Sequence, residues 1–325
     1  MKSYLKEYET EYAKERKPRR IYRDTAHYLE ECSSSYERHI KASVPAEEIG
    51  NWLVHIRNSC NPFLLGVKTA FEQGNMEILH NALYQLVATR HTSSILSSGY
   101  GHSHFMDDCV FAALAAGLTE HIPLLLPQEL ELCENGFPPH VAMANLTMAL
   151  WYKREDWKAA SRKYAEKRLG TKMLLTHSTA IRYLLALLDG DVKEVGAWLE
   201  QYCRAVSGIR DIFYATKLEK MFWYRAHGLY NLAFFVLGKE KALEISMPEH
   251  DCFCNALADW QIERNFAPGK LFLEYPAPTE LLNTILTCTP PATKLMKMEN
   301  AGRKKKYATD VQGFKNGLIA EVLKR

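Results

Sequence analysis

The chain has 325 residues, of which 47% are hydrophobic and 24% charged, with a formal net charge of +3. That is the composition of an ordinary soluble globular protein, long enough to bury a large core in one elongated domain or two compact ones. The N-terminal stretch MKSYLKEYETEYAKERKPRR lacks the apolar core of a secretory signal, and eight scattered cysteines contain no CxxC pair.

The longest nearly apolar stretches, Cys109–Leu118 and Leu229–Leu237, are about half the length that a membrane-spanning helix needs. A cytoplasmic protein with reduced thiols and no membrane partner is therefore expected. Charge is segregated along the chain. Between Cys60 and Leu150 two basic residues, Lys68 and Arg90, face eight acidic ones, whereas Trp151–Lys172 holds eight basic and three acidic. Such asymmetry speaks to partners and steering, not to fold.

Low Gly and Pro content with many Leu, Ala, Glu and Lys residues favours helix. Residues 1–45 read as a charged helical arm, with Tyr4, Tyr8 and Tyr12 at steps of four and a second helix from Ile21 towards His39. Pro45, Glu47 and Glu48 suit a helix start. Helices are expected over Ala46–Arg57 and Pro62–Glu72. After Gln73-Gly74-Asn75, the apolar positions Met76, Leu79, Leu83 and Leu86 begin another.

Beyond the connector described below, helix is expected over Pro139–Tyr152 and Asp156–Leu169. The stretch Leu174–Leu237 reads as three helical segments, broken at Asp189-Gly190-Asp191 and near Ser207-Gly208. In its middle segment Val192, Val195, Leu199, Tyr202 and Val206 form one apolar stripe at helical spacing. His250–Arg264 is a further helix, Leu271–Tyr275 is open to an extended conformation, and Thr279 is placed to cap a short helix to Leu286. From residue 290 a basic tail containing GRKKKY leads as a linker to a short terminal helix carrying Phe314, Leu318, Ile319, Val322 and Leu323.

Part of the chain repeats itself. AFEQGNMEILHNALYQL from Ala70 lies without a gap against ALLDGDVKEVGAWLEQY from Ala186, with Gly74 facing Gly190 and Asn75 facing Asp191. Phe111–Pro127 resembles Leu232–Pro248 more loosely. Either a duplication, with copies near 55–130 and 172–250, or two hairpins solving one packing problem accounts for this. The fold class expected is all-α: a domain over 46–289 built as an α-solenoid-like array of antiparallel helical hairpins.

Few residues carry chemistry. There is no Gly-rich phosphate loop, GxSxG, HExxH or EF-hand pattern, so no enzyme activity and no cofactor is expected. The connector His91–Cys109, rich in Ser and Gly, holds His91, Tyr100, His102, His104, Asp107 and Asp108, which are the candidate partner-binding residues. Within it His102, His104, Asp107 and Asp108 have the donor types of a divalent-metal or proton-transfer site, though their spacing matches no metal motif. Structural capping by Ser103 and Asp107 is the plainer alternative.

Cys252-x-Cys254 lacks a second Cys/His pair at zinc spacing and reads as buried free thiols. His177, His227 and His250 read as satisfied histidines. The aromatic run Phe222-Trp223-Tyr224, with Tyr230, Phe234 and Phe235, reads as core. The acidic first half argues against nucleic acid as the main partner of the basic tail.

From about His55 to Glu263 the chain resembles the all-helical immunity proteins of bacterial polymorphic-toxin systems, in particular the family numbered forty-nine among them. The likeness rests on ALLDGDVKEVGAWLEQY, the following helix FWYRAHGLYNLAFFVLG and a further helix after a proline. The long N-terminal arm and the basic tail depart from it. The resemblance implies a cytoplasmic protein that binds a cognate toxin and blocks its active site, without catalysis. A general helical-repeat scaffold and a metal-dependent enzyme using His102, His104, Asp107 and Asp108 remain the other two readings.

Overall fold

The computed structural model describes residues 2–14, 21–58, 61–97, 101–209, 216–298 and 307–325. The protein is all-α, with one small two-stranded sheet among the described residues. No helix among them is long and apolar enough to cross a membrane. The chain forms two compact units. One comprises Met1–Ser97, Asp259–Pro291 and Val311–Arg325; the other comprises Ser98–Ala258 and Ala292–Asp310. The N-terminal arm and the terminal helix thus both belong to the first unit.

In the first unit the chain runs through α1 (Lys2–Lys14), α2 (Thr25–Ser35), α3 (Pro45–Asn58), α4 (Phe63–Gln73) and α5 (Met76–Ser97), joined later by helices Leu281–Thr287 and Val311–Leu323. The charged α1 docks through its tyrosine stripe. Tyr4 meets Phe71 of α4 edge-on at 5.2 Å, and the Tyr8 hydroxyl donates to the Tyr22 carbonyl at 2.7 Å. Helices α4 and α5 pack together across a tight turn in which Gly74 takes φ +60°. There the Asn75 side chain accepts from the N–H groups of Glu77 and Ile78.

Leu271–Tyr275 is not a strand. Its backbone bonds side chains instead: Leu273 N–H donates to Gln85 at 3.0 Å, and both backbone groups of Tyr275 pair with Asn283 at 2.8 Å. Side-chain amides reaching from two helices, the buried Gln85 and the half-buried Asn283, thus take backbone groups that a neighbouring strand would otherwise pair. Thr279 does not cap the following helix. Its hydroxyl donates to the Pro276 carbonyl and leaves Glu280 at the cap position.

The second unit contains α6 (Phe111–Ala115), α7 (Pro138–Tyr152), α8 (Glu155–Leu169), α9 (Leu175–Asp189), α10 (Val192–Val206) and α11 (Tyr224–Leu237). Helices α9 and α10 pack face to face across Gly190, which takes φ +69°, and Asp191 caps the N–H groups of Lys193 and Glu194. This turn reproduces that at Gly74-Asn75, as the aligned sequences require. The stripe Val195, Leu199, Tyr202 and Val206 is buried. The two segments of the earlier copy, α4–α5 and Phe111–Pro127, fall in different units.

Helix α7 packs on both α8 and α9, while α11 packs on α6, far earlier in the chain. A strictly consecutive stack of hairpins makes no such pairing. The α6–α11 approach is close because Gly228 faces the backbone of Phe111, and Asn231 donates to the Leu114 carbonyl at 3.0 Å. The third segment of Leu174–Leu237 breaks at Phe222 and Trp223, where the Trp223 N–H leaves the helix to donate to the Cys252 carbonyl at 2.9 Å. The helix expected from His250 starts only at Asn255, because the Cys252 N–H turns back onto His250 Nδ1 at 3.2 Å.

Strands β1 (Leu295–Lys297) and β2 (Tyr307–Thr309) pair antiparallel around the basic run. Most of GRKKKY itself lies outside the described residues.

Candidate functional site

The stretch from His91 to Cys109 is largely helical. Helix α5 continues to Ser97, His102–Phe105 forms a 3₁₀ turn, and Met106–Val110 forms a π-helical turn that runs into α6. Tyr100 lies outside the described residues. His91 is buried in the first unit, stacked on Phe314 with ring centres 6.1 Å apart, whereas His102, His104, Asp107 and Asp108 belong to the second. His102 is buried with Nε2 3.1 Å from the Glu131 carbonyl, and His104 is exposed.

The four expected metal donors are therefore not gathered. The His102 ring is engaged by a backbone carbonyl, and His104 is exposed on the 3₁₀ turn. Among the described residues, Asp107 is the one of the four that joins a set of three donors, and its companions are His140 and His177.

Each element contributes for a local reason. Pro138 and Pro139 start α7, which places His140 in its first turn. His177 lies in the first turn of α9, and Arg225 in the first turn of α11. The π-turn presents Asp107 and Asp108 to these three helix ends. Three partly positive N-termini thus converge on two carboxylates. The donor atoms of Asp107, His140 and His177 lie within 4.8 Å of one another. The two imidazole rings meet edge to face at 5.5 Å, and Phe137 packs against both, at 4.9 and 5.5 Å.

Arg225 holds the acidic turn. Its Nε donates to the Asp107 carbonyl at 2.9 Å and its Nη2 to the Asp108 carboxylate at 2.6 Å. The guanidinium also faces the rings of Trp223 and Tyr224, at 4.6 and 5.4 Å. The Asp107 carboxylate has its nearest nitrogen neighbours, the cationic Arg225 Nη1 and the imidazole Nε2 of His140, only at 3.7 and 4.0 Å, beyond hydrogen-bonding distance. The Nδ1 atoms of His140 and His177 are buried with no hydrogen-bond partner among the described residues. His177, only 6% exposed, is therefore not the satisfied histidine its single occurrence suggested.

Electrostatics follows from this packing. Burial drives the His177 imidazole down to about 4, against the opposing pull of Asp107. Burial likewise keeps His140 below its ordinary value, with Asp107 opposing. The position of both rings at helix N-termini works in the same direction. For Arg225, burial works against the charge, but Asp107, Tyr224 and Asp108 outweigh it and hold the guanidinium above its ordinary value. Both histidines are thus neutral at pH 7, beside a charged Arg–Asp cluster.

The site opens into a small cleft lined in part by Asp107, Met143, Leu174, His177, Tyr202 and Arg225. Exposed apolar side chains stand beside it: Leu174 in its lining is 44% exposed, Leu175 next in the chain 64%, and Phe137, packed on both imidazoles, 53%. His140, His177 and Arg225 did not stand out in the sequence. The available signal was a histidine in the first turn of each of two helices, a position that disfavours the charged form. No protein-family model, no curated protein and no solved structure matches this chain.

Proposed function

We propose that this is a helical binding protein, and specifically an immunity protein that binds a cognate toxin in the cytoplasm and covers its active site. In this reading the cleft of the second unit and the apolar side chains beside it form the contact face. The observation that carries it is the group of exposed apolar side chains, Phe137, Leu174 and Leu175, beside the cleft that holds Asp107, His177 and Arg225. Large exposed apolar side chains grouped about under-partnered polar atoms are the pattern of a contact hot spot. Asp107 and Asp108 supply charge for orientation and on-rate. The sequence likeness over ALLDGDVKEVGAWLEQY and the absence of a catalytic signature support the same reading.

The test is co-expression with the protein encoded next door. The expected result is a neighbour that is toxic alone, tolerated together with this chain, and co-purified with it. Leu175→Glu, a change at an exposed position, should weaken that capture while leaving thermal stability unchanged. If no neighbour is toxic alone, or none co-purifies, the immunity reading fails. A partner encoded elsewhere that binds the same face would instead make the protein a general interaction scaffold.

A further inference from the structure

We propose that Asp107, His140 and His177 form a binding site for a divalent transition-metal ion, with zinc as the reference ion. Two imidazoles and one carboxylate are a donor set suited to first-row divalent ions. The three come from separate elements: the π-turn before α6, and the first turns of α7 and α9. Their donor atoms stand within 4.8 Å of one another. Donors around a tetrahedral ion with bonds of about 2 Å lie about 3.3 Å apart. Small side-chain rotations therefore close the site.

The groups are available to make that movement. Among the described residues the Asp107 carboxylate has no hydrogen bond to break, and His177, only 6% exposed, lines the cleft with its Nδ1 likewise unpartnered. The guanidinium of Arg225 opposes a cation. However, its closest bonds go to the Asp107 carbonyl and the Asp108 carboxylate, and two carboxylates against one guanidinium leave a local charge of −1. Arg225 anchors the main chain of Asp107 and Phe137 packs on both imidazoles, so the ligands are oriented by their surroundings. Three protein donors leave at least one coordination position facing the cleft.

The experiment is titration of chelator-stripped, untagged full-length protein with zinc alone, followed calorimetrically. One equivalent is expected to bind. Asp107→Asn and His177→Gln, shown by circular dichroism to keep the fold, should each weaken binding by more than the roughly 10- to 100-fold that loss of a supporting partner costs. Cobalt at the same site should show d–d bands without thiolate charge transfer. Failure of the wild-type protein to bind zinc, unchanged affinity in both variants, or a thiolate-dominated cobalt spectrum would overturn the site. The inference is independent of the toxin-binding reading, since capture of a partner is measured without added metal.

Discussion

Arg225 grips Asp107 by its main chain and not by its carboxylate: Nε meets the Asp107 carbonyl at 2.9 Å, while the side-chain oxygen stays 3.7 Å from Nη1. The guanidinium is used to fix a π-helical turn, and the carboxylate it might have neutralised is left facing two imidazoles. This division of labour makes Arg225 a positioning residue for the whole site.

Arg225→Met should therefore destabilise the protein by about 2–4 kcal/mol, because it removes a buried charge-assisted bond and strands the Asp107 carbonyl. Arg225→Lys should recover only part of this, since an ammonium cannot span a carbonyl and a carboxylate with one planar fork. Urea denaturation followed by circular dichroism measures both. Equal stability of the lysine variant and wild type would show that charge alone matters.

Two glycines mark close helix contacts and predict opposite outcomes for compensation. A Cβ on Gly66 would overlap that of Ala82 across α4 and α5, whereas one on Gly228 would overlap the Phe111 carbonyl across α6 and α11. Each Gly→Ala change should cost about 1–3 kcal/mol or more through overpacking. The double variant G66A/A82G should regain part of the loss, because one small side chain replaces another. No side-chain change at Phe111 relieves G228A, since the obstacle is backbone. Melting temperatures of the three variants and the wild type provide the comparison.

Stability should fall in mild acid. Burial holds His102 at about 4, partly opposed by its bond to Glu131, and burial holds His227 at about 3. His227 is stacked on Phe253 at 4.1 Å, and its Nε2 accepts from the Cys254 N–H at 3.1 Å. Both folded-state values lie below the unfolded value near 6.5. As pH falls below about 6.5 the unfolded chain takes up protons that the native one refuses. Stability present at pH 7 is lost progressively down to about 4 for His102 and about 3 for His227. At pH 5 each histidine should account for about 2 kcal/mol of that loss. Urea midpoints at pH 7 and pH 5 measure it, and His102→Gln should flatten the dependence. A pH-independent midpoint would mean that these imidazoles are not buried neutral.

Short-range features of this protein were legible from the chain alone. Stripes such as Val195, Leu199, Tyr202 and Val206, and the paired turns at Gly74-Asn75 and Gly190-Asp191, follow from helical period, left-handed backbone and side-chain capping within a few residues. The all-α class rests on that same local physics. Leu271–Tyr275, open to an extended conformation by its sequence, forms no strand because side-chain amides of Gln85 and Asn283 take backbone hydrogen bonds of Leu273 and Tyr275, the first of them across 188 residues of chain. The site shows the same limit. Asp107 was visible as an acidic residue beside histidines, but its actual companions, His140, His177 and Arg225, come from three other helices. Only the packing of α6 on α11 and of α7 on α9 brings them together. Periodicity determines which face of a helix is buried; which helix end meets which is decided by the tertiary packing of all the buried faces at once.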